Sequence, residues 1–386
     1  MAPERGLSDE QRELLAMVAE FSADQLGPRA AEDERAGAFP RDAFAALGQL
    51  DLAGLPFEAV DGGSGQPYGV YLRVVEALSR AHTVIGLSLS VHTLATWAVA
   101  AYAAEPLRGE LVARMTSGEL LGAYALSESG SGSDAAALAT RAVRDGDEFV
   151  LDGVKAWVTH AGEADFYVVM CRTGDHKTQG ISALLVPADT PGLSFPPRER
   201  KMGLAASPTG QLVFDAARVP IGNLLGDEGE GFRIALRALD GGRLGIAACA
   251  TGIAQAAFDA ALDYAAQREQ FGQPIADFQG VGFMLADMAT AIEAARALYL
   301  SAAALRDEGG DHTRAAAMAK LLASDTAMRV TTDAVQIFGG YGYTREYPVE
   351  RLMREAKVMQ IVEGTNQIQR LVISRDLLRG REGLGS

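Results

Sequence analysis

The alanine-rich C-terminal third constrains the fold most, because it repeats a helical pattern with few interruptions. Four helices are predicted there, and their approximate bounds are 232–271, 279–308, 313–337 and 365 onward. The first contains no proline, and the second ends at Gly309-Gly310. Asp311 or Thr313 is expected to cap the third. Long helices joined by short connections are typical of an antiparallel four-helix bundle.

The middle of the chain changes to a strand-like pattern between about 121 and 230. The segment TRAVRDGDEFVLDGVKAWVTH holds Asp-Gly pairs at 145–146 and 152–153 between alternating apolar residues, which predicts hairpin turns. Further strand-like runs are DFYVVMCRT, GISALLVPA and GQLVFDAARVP. We therefore predict a small antiparallel β domain.

The N-terminal part again has a helical pattern, and Ser8 with Gln11 forms the sequence of a capping box. No residue from 83 to 104 is charged, and a membrane-spanning helix needs about 20 apolar residues. Because Ser88 and His92 interrupt this stretch, we predict a buried helix and no membrane insertion. The predicted domains are 1–120 (N-terminal helical domain), 121–230 (β domain) and 231–386 (C-terminal four-helix bundle).

Composition narrows the classes of function. The chain has 50 acidic and 35 basic residues and a net charge of −15, which argues against a nucleic-acid partner. Cys171 and Cys249 lie far apart and form no CxxC pair, which indicates a reducing compartment. The five histidines show no spacing typical of a metal site. The N-terminal segment lacks an apolar core, so we expect no signal peptide and a cytoplasmic protein.

Two segments in the middle of the chain are candidates for ligand binding. YALSESGSGSD (124–134) combines glycines, which let backbone N–H groups approach a ligand, with hydroxyls that suit a phosphate or a flavin edge. A flexible loop is the simpler explanation of this composition taken alone, and the GxSxG motif of serine hydrolases is absent. In KAWVTH, Trp157 and Thr159 face one side of a strand and suit a flat heteroaromatic ring, or else pack between domains.

Three further segments contain glycines beside charged or aromatic residues. In LDGGRLGIA (239–247), two glycines cost a helix about 1 kcal/mol each, which indicates close approach of a backbone or a ligand. Arg243 follows them, although a salt-bridged helix residue is the simpler explanation. REQFGQP (268–274) and FGGYGYTREYPVE (338–350) have the composition of helix C-caps.

Glu363 is the acid of IVEGTNQIQR (361–370), between apolar residues and the start of a helix. An acid at a helix N-terminus is favoured by the helix dipole, which is one explanation for it. A catalytic base is the other, because apolar neighbours raise the pKa of a carboxyl group toward the range of 6–7 that general bases use.

Taken together and in order, these segments resemble the acyl-CoA dehydrogenase family of FAD flavoproteins over nearly the whole chain. YALSESGSGSD resembles the first family signature, with Ser129 where proline is usual. The segment from QIFGGYGY to SRDLL (336–378) resembles the second. The resemblance implies a mainly α fold with a central β domain: an N-terminal helical domain, a small antiparallel β-barrel and a C-terminal four-helix bundle.

The resemblance implies a role for each matching residue. Glu363 would be the base that removes the pro-R α-proton of an acyl-CoA while the β-hydride passes to flavin N5, giving a trans-2-enoyl-CoA. The expected FAD contacts are Leu126, Ser127, Gly132, Ser133, Trp157, Thr159, Arg268, Phe271, Gln336, Gly339, Gly340, Thr365 and Gln367. Those from 268 to 340 would contact the FAD of a neighbouring subunit. The expected substrate contacts are Ser133, Asp240, Arg243 and Gly364.

The resemblance also implies partners and an oxyanion hole. Electrons would pass to an electron-transfer flavoprotein, and the assembly would be a homotetramer, a dimer of dimers. The thioester carbonyl would accept hydrogen bonds from the Glu363 N–H and the FAD ribityl 2′-hydroxyl. Some members carry the base at the position of Gly242, which cannot act as a base here. LDGGR is closest to short-chain and branched-chain members.

The chain departs from the usual family residues at His160, Val362 and Ala205. Two other functions are compatible with the same fold. One is an acyl-CoA oxidase or flavin-dependent relative that uses O₂, and the other is a non-catalytic flavoprotein binding module.

Overall fold

The computed structural model describes residues 6–382, so the ends of the predicted terminal domains, 1–5 and 383–386, lie outside the described residues. The helices of the N-terminal part are α1 (Asp9–Phe21), α2 (Ala30–Ala36), α3 (Arg41–Gln49), α4 (Tyr68–Ala81), α5 (Thr83–Tyr102) and α6 (Leu107–Thr116). The capping box of α1 is confirmed, because the Gln11 N–H donates to Ser8 Oγ and the Ser8 N–H donates to Gln11 Oε1.

The sheet follows, with strands β1 (Gly122–Ala125), β2 (Arg141–Asp145), β3 (Glu148–Thr159), β4 (Phe166–Arg172), β5 (Ile181–Pro187), β6 (Leu193–Ser194), β7 (Thr209–Pro220) and β8 (Leu224–Leu225). Their order is β6-β7-β3-β2-β4-β5-β8, with β1 also paired to β4. Most pairs are antiparallel, but β1 and β2 run parallel to β4, so the sheet is mixed. The predicted β domain is confirmed, and its sheet differs from the predicted antiparallel one in these parallel pairs. The long connection after β1 supplies the crossover that a parallel pair needs.

The two Asp-Gly pairs adopt different structures. The pair at 145–146 forms the predicted turn between β2 and β3, and Gly146 has a φ of 64°. The pair at 152–153 lies inside β3, so the prediction of a second turn is wrong. The pairing of β3 with β7 shifts between Leu151 and Gly153, as at a β-bulge. A Cβ on Gly153 would lie 2.7 Å from the Cα of Thr140, so only glycine fits there.

The C-terminal helices are α7 (Gly231–Gln267), α8 (Gln279–Asp307), α9 (Thr313–Phe338), α10 (Val349–Met359) and α11 (Asn366–Glu382). A short hairpin of β9 (Glu269–Gln270) and β10 (Gln273–Pro274) follows α7. The long helices match the sequence prediction closely. Asp311 accepts a hydrogen bond from the Thr313 N–H at 3.0 Å, although His312 occupies the N-cap position of α9.

Helix α7 connects the three parts of the molecule, because it packs against α4, α5, α9, α10 and β5. Among the described residues, α5 and α7 are long and apolar enough to cross a membrane by length and composition alone. Their most apolar windows are 83% and 72% buried inside the protein, as is usual for core helices. The turn between α10 and α11 lies beside α7 and α9.

Candidate active site

Glu363 lies in the turn between α10 and α11 with its backbone in the left-handed region, at a φ of 54°. Gly364 follows at a φ of 87°. A left-handed conformation is uncommon for a residue other than glycine and costs of order 1–3 kcal/mol when strained. The Asn366 N–H closes the turn by donating to Gln360 O at 3.0 Å. The chain therefore fixes the direction of the Glu363 side chain at an energetic cost.

The carboxyl group of Glu363 is held against the glycine pair of α7. A Cβ added to Gly242 would lie 2.6 Å from Glu363 Oε2, so the missing side chain makes room for the carboxyl group. Oε2 is buried and has no hydrogen-bond partner among the described residues. An acid kept in this state is available to accept a proton from a ligand.

Arg243, the next residue of α7, is only 5% exposed and pairs with Asp240 instead of Glu363. Its Nη1 lies 2.6 Å from Asp240 Oδ1, and Asp240 Oδ2 accepts a hydrogen bond from Thr313 Oγ1 at 2.9 Å. The Nε atom of Arg243 is buried without a partner among the described residues. Asp240 thus holds the guanidinium in place with a free donor.

Burial raises the pKa of Glu363 to about 7, while the positive charges of Arg243 and Lys320 act in the opposite direction. A glutamate in water has a pKa of about 4.3. The shift makes Glu363 a stronger base, yet leaves a substantial fraction ionised at neutral pH. This is the range in which general bases work.

A cavity of about 310 Å³ opens beside Gly242, between α4, α5 and α7. Its apolar wall includes Phe57, Leu94 and Trp97, and its polar residues are Tyr68, Ser90, Thr93, Arg237, Asp240, Arg306 and His312. No described residue accepts a hydrogen bond from the Glu363 N–H. A carboxyl base and a free backbone donor are therefore close to a cavity of mixed polarity.

The segment 126–133 is held by a buried ion pair. Lys155 Nζ donates to Leu126 O at 3.0 Å and to Glu128 Oε1 at 2.7 Å. The same Glu128 carboxylate accepts from the Ala139 and Thr140 N–H groups at 2.6 and 2.9 Å. The loop is thus rigid at its base, while Gly132 and Ser133 remain exposed.

Beside this loop, Trp157 presents an open aromatic surface. It is 55% exposed and has a φ of 55°, although Ala156 and Val158 on either side are buried. Thr159 is partly exposed, and the Ala156 N–H donates to Ser127 O at 2.9 Å, which joins strand and loop. A flat ring can stack on such a surface, and bare glycine backbone suits a phosphate. These features fit the expected FAD.

The expected contacts from 268 to 340 form a separate group. Arg268 ends α7, with its guanidinium 5.8 Å from the Tyr341 ring, and Gly339 ends α9. Gln336 and Gly340 are exposed, and Phe271 is 95% exposed. Gln336 is sixteen residues along α9 from Lys320, or about 24 Å at 1.5 Å per residue. One chain therefore does not bring this group to Glu363, and its contact with a neighbouring subunit's FAD stays a prediction.

Thr365 and Gln367 border a second cavity, of about 320 Å³, next to the turn between α10 and α11. Asp325, Lys357 and Arg370 also line it. These two predicted cofactor contacts thus lie on an open, polar surface next to Glu363. Their role with FAD stays a prediction.

The departures from the usual family residues lie in ordinary surroundings. His160 is fully buried, its Nδ1 is 2.9 Å from Gly122 O, and burial lowers its pKa to about 3, so it is a neutral core residue. The Ala205 N–H donates to Glu34 Oε2 at 2.6 Å. Val362 packs against the hydrophobic core.

Lys320, which donates to Gly364 in the turn of Glu363, and the Lys155–Glu128 pair were not predicted from the sequence. A signal for Lys320 exists, because it shares the helical period of the buried residues Ala316 and Ala323. A lysine on the buried face of a helix needs a specific partner. No comparable sequence pattern indicates that Lys155 pairs with Glu128, because only the folded structure brings these two residues together.

Comparison with known proteins gives one consistent family. Three family models match: the N-terminal domain of acyl-CoA dehydrogenase over residues 8–119, the middle domain over 123–217 and the C-terminal domain over 229–378. An acyl-CoA dehydrogenase of Bacillus subtilis (strain 168) is 46% identical over 376 residues, covering 97% of this chain and 99% of its own. A short-chain specific acyl-CoA dehydrogenase of Clostridium acetobutylicum is 44% identical, with the same coverage.

Solved structures agree with these relatives. The butyryl-CoA dehydrogenase from Megasphaera elsdenii has a TM-score of 0.95 and 41% identity, covering 97% of this chain and all of its own. A chain of the structure described as the electron transferring flavoprotein of Acidaminococcus fermentans has a TM-score of 0.96 and 45% identity, with the same coverage.

Proposed function

This chain is a member of the acyl-CoA dehydrogenase family, and from that premise we propose that Glu363 is the base that begins α,β-dehydrogenation of a short-chain acyl-CoA. Members of the family are FAD-dependent oxidoreductases, and acyl-CoA dehydrogenation is the reaction of this protein. The observation that carries the assignment is the buried Oε2 of Glu363, which has no partner among the described residues and lies against Gly242.

The reaction begins when Glu363 accepts the α-proton of the thioester. Its raised pKa makes this transfer less unfavourable than it would be for a carboxylate in water. The free N–H of Glu363 donates to the thioester carbonyl and stabilises the charge that develops there. Bound FAD would supply the acceptor for the β-hydride. Substrate entry excludes water from the cavity, which strengthens these electrostatic effects.

The residues of α7 next to the base suit a role in substrate binding. Asp240 lines the cavity and fixes Arg243, whose Nε has no partner among the described residues. The cation also favours the ionised form of Glu363. Ser133 and Gly364 are the further substrate contacts of this proposal.

FAD would be held by Leu126, Ser127, Gly132, Ser133, Trp157 and Thr159, with Thr365 and Gln367 beside the turn of Glu363. The rigid base of the 126–133 loop and the exposed face of Trp157 support this set. Arg268, Phe271, Gln336, Gly339 and Gly340 would complete the site of a neighbouring subunit in a homotetramer. The electron acceptor of this proposal is an electron-transfer flavoprotein, and the compartment is the cytoplasm.

The acyl group of the proposed substrate is short or branched. The cavity of about 310 Å³ is lined on its apolar wall by Trp97 and Phe57. The relatives include the Clostridium acetobutylicum short-chain specific enzyme and an isobutyryl-CoA dehydrogenase of Dictyostelium discoideum, which is 41% identical. An oxidase or a non-catalytic module is not favoured, because relatives named as dehydrogenases match along the whole chain.

Anaerobic titration of the FAD-loaded protein with butyryl-CoA, isobutyryl-CoA and palmitoyl-CoA tests the proposal. The wild type should lose its flavin colour with the two short substrates and respond least to palmitoyl-CoA. Glu363→Gln should still perturb the flavin spectrum on binding but should not bleach. Bleaching of Glu363→Gln at the wild-type rate would contradict the role of Glu363, and preference for palmitoyl-CoA would contradict the substrate class.

A further inference from the structure

Lys320 is a fully buried lysine, and its hydrogen-bond partners belong to the turn 360–366 that contains Glu363. This segment is called the catalytic turn below. Its Nζ donates to Gly364 O at 3.0 Å and to Asn366 Oδ1 at 2.8 Å. A buried ammonium group is costly unless its donors are used. Both oxygen atoms belong to residues within three positions of Glu363, so the ammonium group donates its hydrogen bonds to that segment.

The turn that Lys320 contacts needs external support. Glu363 and Gly364 are successive residues with left-handed backbones, at φ values of 54° and 87°. Gly364 O accepts a second hydrogen bond from Gln369 Nε2 at 2.8 Å, and Glu363 O accepts from the same atom at 3.0 Å. Two side chains from different helices thus hold the carbonyl groups of one strained turn.

We propose that Lys320 is a positioning residue for the reaction: its buried ammonium group fixes the backbone of the catalytic turn and adds to the positive charge of Arg243, which favours the ionised form of Glu363. This inference rests on the proposed function of Glu363. Lys320 touches neither the carboxyl group of Glu363 nor the cavity residues, so it acts through the turn and through space.

The charges around Glu363 support this role. The charges of Arg243 on α7 and Lys320 on α9 lower its pKa, and Asp240 pairs with Arg243. Burial raises the pKa of Tyr68 on α4 and of Tyr124 on β1, and the charge of Glu363 adds to both shifts. Burial lowers the pKa of Lys320 to about 7, opposed by the charges of Glu363 and Asp325.

The sign of the charge effect follows directly. A positive charge favours the carboxylate and lowers the pKa of Glu363, so removing it must raise that pKa. The acid limb of the activity profile, where the base becomes protonated, should then move to higher pH. A lysine that merely packed the helices together would not produce this shift.

The test compares Lys320→Met, which removes donor and charge, with Lys320→Gln, which keeps a donor without the charge. Lys177→Met is the matched control, since Lys177 is 68% exposed. We expect Lys320→Met to lower kcat at least about 10-fold with a smaller change in KM, because a misplaced catalytic group costs rate. Its acid limb should shift upward by about one pH unit. Lys320→Gln should recover part of kcat but keep the shifted limb.

An infrared titration of the Glu363 carboxyl band gives a readout that does not need turnover. The band is identified by its loss in Glu363→Gln, and it should titrate at higher pH in both Lys320 variants than in Lys177→Met. If Lys320→Met does not fold, Lys320→Gln decides. An unshifted titration and acid limb in the folded Lys320 variants would overturn the inference while leaving Glu363 as the base. Full turnover of Glu363→Gln would instead remove the proposed function itself.

Discussion

The molecule contains two buried lysines that each act on a glutamate, and the two pairs are built in opposite ways. Lys155 is in direct contact with Glu128, whose carboxylate also accepts two backbone N–H groups. Lys320 binds the backbone near Glu363 but leaves its Oε2 without a partner among the described residues. Both lysines are fully buried. The two pairs therefore differ in the hydrogen-bond donors that the protein provides to each carboxyl group.

The proton affinity of each acid follows from that difference. For Glu128, burial is outweighed by the charge and hydrogen bonds of Lys155 and the backbone N–H groups, so its pKa is lowered. For Glu363, burial dominates and raises the pKa to about 7. A satisfied carboxylate organises a loop, whereas a carboxylate deprived of donors keeps the capacity to take a proton. Burial beside a lysine does not by itself make a catalytic acid or base.

Replacement by glutamine should change stability differently at Glu363 and at Glu128. The replacement of Glu363 should have the largest effect on the rate of flavin reduction. Glu363→Gln should lower the rate of flavin reduction by about 10²–10⁴-fold or more, the range of general base catalysis. Its stability should be equal to or higher than that of the wild type, because a buried group without a partner becomes neutral. Stopped-flow flavin reduction and urea unfolding measure the two quantities. A destabilised Glu363→Gln protein would show that Glu363 holds the fold as Glu128 does.

Glu128→Gln should instead reduce stability. It leaves Lys155 buried with no countercharge, and breaking such a pair costs about 3–5 kcal/mol. Urea unfolding measures the loss, and the remaining folded protein should reduce its flavin far faster than Glu363→Gln. The double variant Lys155→Met/Glu128→Gln should recover part of the stability, since no unpaired charge remains. Unchanged stability in Glu128→Gln would remove the contrast between the pairs.

Gly242→Ala should damage only the Glu363 site. The new methyl group would lie 2.6 Å from Oε2, so the carboxyl group must move away. We expect kcat to fall by about 10–100-fold, because a displacement of 1 Å can cost 10²-fold. Gly222→Ala is the control, since nothing lies within 4 Å of its added Cβ. Wild-type kinetics in Gly242→Ala would mean that the carboxyl group tolerates displacement.

The smallest effect is expected from Gln369→Leu. This change removes the hydrogen bonds to Glu363 O and Gly364 O while Lys320 still holds the turn. Each hydrogen bond contributes about 1 kcal/mol net, so the free energy of unfolding should fall by about 1–2 kcal/mol. The value of kcat should fall only several-fold, because Lys320 still holds the turn. If Gln369 and Lys320 both hold this turn, combining Gln369→Leu with Lys320→Gln should raise the activation free energy by more than the sum of the two single effects. Strict additivity in kcat would contradict that coupling.

The sequence predicted the order of helices, sheet and helices well, because α7, α8 and α9 are long and strongly periodic. The confirmed capping box and the turn at 145–146 rest on local chemistry, which sequence reveals. The misplaced turn at 152–153 shows the limit. Asp-Gly is a local signal, whereas β7 pairs with β3 on both sides of it and keeps the strand continuous.

The candidate site also has features that the sequence indicates and features that it does not. The resemblance named Glu363, and helical period alone could have placed Lys320 on the buried face of α9. What neither reveals is that Oε2 lacks a donor, because that depends on how α7, α9 and the catalytic turn meet in space. The Lys155–Glu128 pair is hidden for the same reason.

The pH dependence of flavin reduction tests the central claim most directly. Anaerobic stopped-flow mixing with butyryl-CoA well below saturation, compared with its α-dideuterated form, follows removal of the α-proton by the free enzyme, to which the Glu363 pKa of about 7 applies. Because Glu363 must be ionised to act, the rate should fall as the pH drops through about 7, with an isotope effect throughout. A rate that stays constant down to the ordinary glutamate pKa of about 4.3 would contradict the account, because the carboxyl group would then behave as one in water.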